Sequence, residues 1–98
     1  MGLFFYKLIP PRPTFSQDMT DAERKTMKEH FAYWQDLLQK GIVIVVGPVF
    51  DPKGAWGMAV VKVDDEQSAR LLGTNDPAVK AGLEFEAHPM GPNSIVLE

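Results

Sequence analysis

Five consecutive β-branched residues, Ile42–Val46 (IVIVV), constrain the fold more than any other stretch of this sequence. A strand with only one covered side alternates apolar and polar residues, whereas this strand does not. The first apolar segment, Leu3–Ile9, is also apolar except for Lys7. These patterns predict a sheet whose strands need cover on both faces.

Cap and turn signals between the apolar segments predict the element order β-α-β-β-α-β. The prolines of Pro10–Met19 predict a stiff loop without regular structure. Thr20 with Glu23 forms a capping box, and Gly41 ends the helix that the box begins. The predicted helices are Asp21–Lys40, Asp64–Gly73 and a short turn opening at Asp76. The predicted strands are Leu3–Ile9, Ile42–Phe50, Trp56–Val63, Leu83–His88 and, in the tail, Ser94–Leu97.

This order is typical of the α+β, ferredoxin-like plan, in which both helices pack on one face of an antiparallel sheet. With 98 residues, the chain has the length of one domain, which we assign to residues 1–98. The two predicted helices Asp21–Lys40 and Asp64–Gly73 both pack on one sheet face, so no segment remains to cover the other. We therefore expect a homodimer that packs sheet to sheet.

Charge and cysteine content exclude several classes of partner and chemistry. The net charge is −3, and no basic patch is present, so we expect neither nucleic acid nor membrane as a partner. No apolar run approaches the roughly 20 residues that a bilayer requires, and no signal peptide is recognisable. The absence of cysteine removes disulfides and thiol nucleophiles. We expect a cytoplasmic protein without a metal site or cofactor.

The long helix places a histidine among apolar residues. His30 falls on the same side as an apolar set, namely Met27, Phe31, Trp34, Leu37 and Leu38. One interpretation is a core histidine that a backbone carbonyl satisfies. The other is a general acid or base tuned by a nearby carboxylate. The second histidine, His88, shares a strand face with Glu84 and Glu86 and is expected at the surface.

Asp76 also has two interpretations. An aspartate before proline is the ordinary start of a helix, with Asp76 at the N-cap and Pro77 at the first helical position. A functional role requires Asp76 to lie near His30, which a separation of 46 residues along the chain does not establish.

A set of residues spread in order over nearly the whole chain resembles the YciI-like (YCII-related) family. The set comprises His30, Tyr33-Trp34, Leu37-Leu38, Gly41, Gly47-Pro48, Gly57, Asn75-Asp76-Pro77 and Gly82. The resemblance implies a dimeric ferredoxin-like α/β barrel and an active site built around a histidine and an aspartate. By position these are His30 and Asp76. In a family member known to be an enzyme, such a pair serves elimination of chloride from a chlorinated hydroxyquinol.

Two hypotheses for function follow from the residues and the resemblance. The first is a small lyase, isomerase or hydrolase in which His30, oriented by Asp76, moves a proton on a small polar or aromatic substrate. The residues that we assign to its substrate pocket are Trp34, Arg12, Gly47, Pro48 and Phe5. Arg12 would anchor an anionic group, and Gly47 would let a ligand approach the main chain.

The alternative is a non-catalytic module that binds a small ligand through the same residues. A weaker alternative makes His30 the axial ligand of a heme, although no other feature of the sequence calls for one.

Overall fold

A computed structural model describes residues 2–97 and confirms the α+β, ferredoxin-like class. The sheet has the strand order β2-β3-β1-β4, and every neighbouring pair is antiparallel. The strands are β1 (Gly2–Ile9), β2 (Val43–Val49), β3 (Trp56–Val63) and β4 (Glu84–Pro89). The helices are α1 (Phe15–Asp18), α2 (Asp21–Gln39), α3 (Glu66–Thr74) and α4 (Pro77–Lys80).

Helix boundaries follow the predicted caps. Thr20 and Glu23 form the complete capping box of α2. Gly41, with φ of 78°, takes the left-handed conformation just past the end of that helix, where a residue with a Cβ would be strained. Asp76 caps α4, and Pro77 occupies its first turn.

The two faces of the sheet have different surroundings. On β1, the side chains of Phe4, Tyr6 and Leu8 are buried against the helices, whereas Phe5 and Lys7 point to the opposite, open face. One row across the open face runs Val45, Val60, Phe5 and His88 on four adjacent strands. The lack of alternation in the sequence therefore corresponds to apolar side chains on β1, β2 and β3 at a sheet face that residues 2–97 leave uncovered.

Helix α2 buries a narrower stripe than the sequence predicted. Trp34 and Leu37 are buried, but Leu38 is exposed and Phe31 is 61% exposed. At about 100° per residue, Phe31 and Leu38 lie about 60° and 40° to one side of Trp34, whereas the buried Leu37 lies about 60° to the other. The buried stripe is therefore centred between Trp34 and Leu37, and Phe31 and Leu38 share the apolar side of the helix without being buried.

Two further predictions of secondary structure need correction. The proline-rich loop Pro10–Met19 contains the short helix α1, which Thr14 supports by accepting backbone hydrogen bonds from Gln17 and Asp18 at 2.8 and 3.1 Å. The tail 94–97 forms no strand. Its chain turns at Gly91, whose carbonyl accepts from the Ser94 amide at 3.1 Å, and so leaves the sheet. Within residues 2–97, no helix is long and apolar enough to cross a membrane.

Candidate functional site

The carboxylate of Asp76 is fully buried between α2, α4 and β1. Its position follows from the local sequence, since the side chain caps α4 by accepting from the Ala78 amide at 2.8 Å on Oδ1. The cap fixes the backbone, and the remaining lone pairs then face the core. The helix-start interpretation of Asp76 is thus correct, but it accounts for only one of the hydrogen bonds that this carboxylate accepts.

Three side chains from the core also donate to Asp76. The hydroxyl of Tyr6 and the indole Nε1 of Trp34 donate to Oδ2 at 2.9 and 2.8 Å. The Nδ1 atom of His30 lies 2.9 Å from each carboxylate oxygen. Burial acts to raise the pKa of Asp76, but the hydrogen bonds from His30, Trp34 and Ala78 outweigh it and hold this pKa below its ordinary value. Asp76 is therefore a buried anion with donors on every side.

This arrangement determines which nitrogen of His30 carries the proton. An ionised carboxylate only accepts hydrogen bonds, so Nδ1 must carry the hydrogen that points to Asp76. In the neutral ring, Nε2 then holds a lone pair. The imidazole is 15% exposed and forms part of a cavity wall, and no hydrogen bond from residues 2–97 occupies Nε2. The ring that lines the cavity is thus held by Nδ1, and its Nε2 has no partner among residues 2–97.

The cavity beside His30 has a volume of about 240 Å³. It lies between α2, the ends of β1 and β2, the start of β3 and the segment before α2. Its lining is mainly apolar and contains no lysine or arginine among the described residues. The larger apolar and aromatic residues of the lining include Tyr6, Leu8, Phe15, Met27, Trp34, Trp56 and Leu83.

The structure places the predicted pocket residues in two groups. Trp34, Gly47 and Pro48 line the cavity. Phe5 does not, because strand alternation turns its ring to the open sheet face, where it meets Trp56 edge-on at a centroid distance of 6.4 Å. Arg12 does not line it either, since its guanidinium is bound by two acidic side chains outside the cavity. Phe5 and Arg12 therefore lie outside this cavity.

Sequence reasoning missed the hydroxyl of Tyr6 as a partner of Asp76 and the aromatic ring of Phe15 as a cavity wall. The alternation in β1 signals the first, because Tyr6 shares a face with Phe4 and Leu8, not with Phe5. Burial of the Tyr6 hydroxyl, together with the charge of Asp76 and the hydrogen bond to it, raises the pKa of Tyr6 above its ordinary value, so the hydroxyl stays a donor. No local signal distinguishes Phe15 within a segment predicted to be irregular.

A second histidine–carboxylate pair lies at the surface. His88 Nε2 is 3.0 Å from Glu86 Oε1, and both side chains are largely exposed on the open side of β4. Among residues 2–97, no three histidine, cysteine, aspartate or glutamate side chains converge closely enough to hold a metal ion.

Comparison with known proteins identifies the family. The fold matches a solved structure of 5-chloro-2-hydroxyhydroquinone dehydrochlorinase (TftG) from Burkholderia phenoliruptrix AC1100, in complex with 2,5-dihydroxybenzoquinone. The TM-score is 0.66 at 20% sequence identity, over 93% of this chain and 94% of that chain. No curated protein matches the sequence. The YCII-related domain matches residues 4–89, which confirms the resemblance seen in the sequence. The chain belongs to the YCII-related family.

Proposed function

We propose that this protein is an acid–base enzyme in which His30 moves a proton on a small hydroxylated aromatic ring bound in the cavity. The observation that carries the proposal is the contact between His30 Nδ1 and the buried Asp76 carboxylate, at 2.9 Å, beside a cavity that includes the imidazole in its wall. Removal of a ring-hydroxyl proton by Nε2 produces a phenolate and an imidazolium. Asp76 stabilises that imidazolium and fixes the orientation of the ring.

The size of the cavity supports a substrate of one ring. An engineered apolar cavity of about 150 Å³ in another protein binds benzene. The volume of about 240 Å³ here therefore accommodates one aromatic ring with a few substituents. The apolar walls provided by Trp34 and Leu8 favour the faces of such a ring.

The charge of the lining supports a neutral substrate. Because no lysine or arginine of the described chain lines the cavity, a carboxylate or phosphate would lose its hydration there without gaining a cation. Asp76, a buried anion next to the cavity, adds repulsion. This departs from the expectation that Arg12 anchors an anionic group.

A chloride-release assay with 5-chloro-2-hydroxyhydroquinone, the compound named for the structural neighbour, tests the proposal. The informative variant is His30→Asn, because the asparagine amide retains a donor close to the position of Nδ1 but provides no base in place of Nε2. We expect turnover to fall by about 10²–10⁴-fold, the usual contribution of a general base. His88→Asn is the matched control and should leave turnover unchanged.

Equal turnover by the wild-type protein and His30→Asn would contradict the proposed role of His30. If the wild-type protein binds the compound in the cavity but releases no chloride, unchlorinated hydroxylated rings are tested instead, and exchange of their ring C–H protons with deuterium from the solvent is followed by NMR. Binding without any proton transfer in that series would instead establish the alternative, a non-catalytic ligand-binding module.

We also propose that a second copy of the chain covers the open sheet face. The row through Val45, Val60 and Phe5, in which Val45 is exposed and the other two are partly buried, forms an apolar surface of a kind that single chains seldom leave bare. Sedimentation equilibrium should give the mass of a dimer for the wild-type protein and of a monomer for Val45→Lys. Leu38→Lys, at a similarly exposed apolar site on α2, is the control and should remain dimeric. A monomeric wild-type protein would contradict this assignment.

A further inference from the structure

The segment that joins β1 to α2 forms one wall of the cavity. This wall segment, defined as residues 10–19, contributes Pro10, Phe15, Ser16 and Met19 to the lining. The ring of Phe15 is buried even though the segment lies at the surface. The position of Phe15 therefore decides whether the cavity is closed on this side.

Backbone hydrogen bonds do not tie the wall segment to the rest of the fold. The ladder between β1 and β4 ends at Ile9. In the described chain, the backbone bonds of residues 11–19 stay within the segment, from Phe15 to Arg12 and from Gln17 and Asp18 to Thr14. Side chains must therefore hold the wall in place.

Arg12 supplies that attachment. Its Nη1 and Nη2 atoms donate to the two carboxylate oxygens of Glu23 on α2 at 2.9 and 2.7 Å. Its Nε donates to the Asp18 carboxylate at 2.8 Å, and Nη2 also donates to the Asp18 carbonyl at 2.9 Å. The guanidinium stands 5.4 Å from the centroid of the Phe15 ring. A single side chain thus links α2, the end of α1 and the cavity wall.

The geometry of this link differs from that of an ordinary surface ion pair. The Arg12 and Glu23 side chains are only 34% and 26% exposed, and the contact is bidentate, which fixes both direction and distance. Arg12 lowers the pKa of Glu23 to about 2, so the pair stays charged at neutral pH. On the far side, a Cβ at Gly54 would lie 2.8 Å from the Pro13 carbonyl oxygen, so the β2–β3 turn contacts the segment directly.

We propose that Arg12 is a positioning residue that latches the wall segment to α2 through Glu23 and so controls access to the cavity at His30 and Trp34. The role does not involve contact with a ligand. It rests on the proposed function only in treating the cavity as the binding site, because the latch itself is a property of the unliganded chain.

Quenching of Trp34 fluorescence by acrylamide tests the latch without any substrate. Trp34 is buried and lines the cavity, and the other tryptophan is removed by a Trp56→Phe substitution carried in every protein compared. We expect the quenching constant to rise severalfold in Arg12→Gln. Arg24→Gln, on the exposed start of α2 where Arg24 pairs with Asp21, is the control and should match the background protein.

Amide hydrogen exchange in the same proteins separates local opening from general loss of stability. In Arg12→Gln, the amides of Gln17 and Asp18 should exchange severalfold faster, whereas those of β1 and β3 should be unchanged. Equal quenching and equal exchange in Arg12→Gln and Arg24→Gln would overturn the proposal.

A second variant, Glu23→Gln, tests the same contact if Arg12→Gln fails to fold. Glutamine at this position retains the capping box with Thr20 but loses the charge that pairs with Arg12. It should therefore increase quenching without shortening α2. Unchanged quenching in a folded Glu23→Gln protein would also overturn the proposal. Both readouts are independent of turnover, so failure of the latch and failure of the proposed catalysis are distinguishable.

Discussion

The chain contains two histidine–carboxylate pairs of nearly equal length in contrasting surroundings. His30 and Asp76 lie 2.9 Å apart, and His88 and Glu86 lie 3.0 Å apart. Asp76 is inaccessible to solvent and also accepts hydrogen bonds from Tyr6 and Trp34, whereas His88 is 61% exposed. The distance between the partners is therefore not what distinguishes a candidate catalytic pair. Burial of the anion, its additional donors and the adjacent cavity do so.

The largest difference between the pairs should appear when each carboxylate is neutralised. Asp76→Asn removes a buried charge and turns an amide toward Tyr6, Trp34 and His30, all of which are donors, so we expect the free energy of unfolding to fall by about 3 kcal/mol. Glu86→Gln should cause a much smaller change, because both side chains of that pair are largely exposed in the single chain. Urea denaturation at one fixed protein concentration measures both. A similar loss of unfolding free energy in the two variants would show that burial does not distinguish the two histidine–carboxylate pairs.

A smaller effect should follow from deleting one donor of the buried pair. Tyr6→Phe removes the hydroxyl that donates to the Asp76 carboxylate, and a hydrogen bond to a charged group contributes about 2 kcal/mol. The matched control is Tyr33→Phe, whose hydroxyl donates to the neutral carbonyl of Leu72 at 2.6 Å and should contribute about 1 kcal/mol. Urea denaturation of the two variants compares the acceptors. A greater loss in Tyr33→Phe would argue against an ionised Asp76.

The smallest of the three expected effects concerns the loss of stability at acidic pH. The pKa of Asp76 is lower in the folded protein than in the unfolded chain, where aspartate titrates near about 3.9. Its contribution is therefore fully present above that value and is lost as the pH falls through the folded pKa. Asp76→Asn should flatten the decline of stability between about pH 5 and pH 2, and Glu86→Gln should flatten it less. If stability falls equally with decreasing pH in the wild type and in Asp76→Asn, the pKa of Asp76 is not lowered by folding.

The fold was predictable because its determinants are local. The capping box at Thr20, the unbroken β-branched run at Ile42–Val46 and the Asp76-Pro77 start each specify one boundary, and the order of elements follows from them. The tail 94–97 shows the limit of this reasoning. Its apolar sequence suits a strand, but a strand also requires a neighbour, and the turn after Gly91 takes the tail away from β4.

The candidate site was predictable only in part because it depends on long-range contacts. His30 and Asp76 were singled out, but their contact joins residues 46 positions apart and follows from the packing of α2 against α4. For Arg12, by contrast, the structure does not support the predicted role. Its charge suggested an anion site, but the acidic side chains of Asp18 and Glu23 already bind it. The cytoplasmic location and the sheet-to-sheet homodimer stay predictions.

NMR of the two imidazole rings tests the central claim most directly, with hydroquinone, a neutral ring with two hydroxyl groups, as the probe. The account predicts that the ring signals of His30 shift saturably as the compound fills the cavity, while those of His88 do not move. Asp76→Asn, if folded, should weaken or abolish the His30 response. Saturable binding that shifts the signals of His88 and leaves those of His30 unchanged would contradict the account.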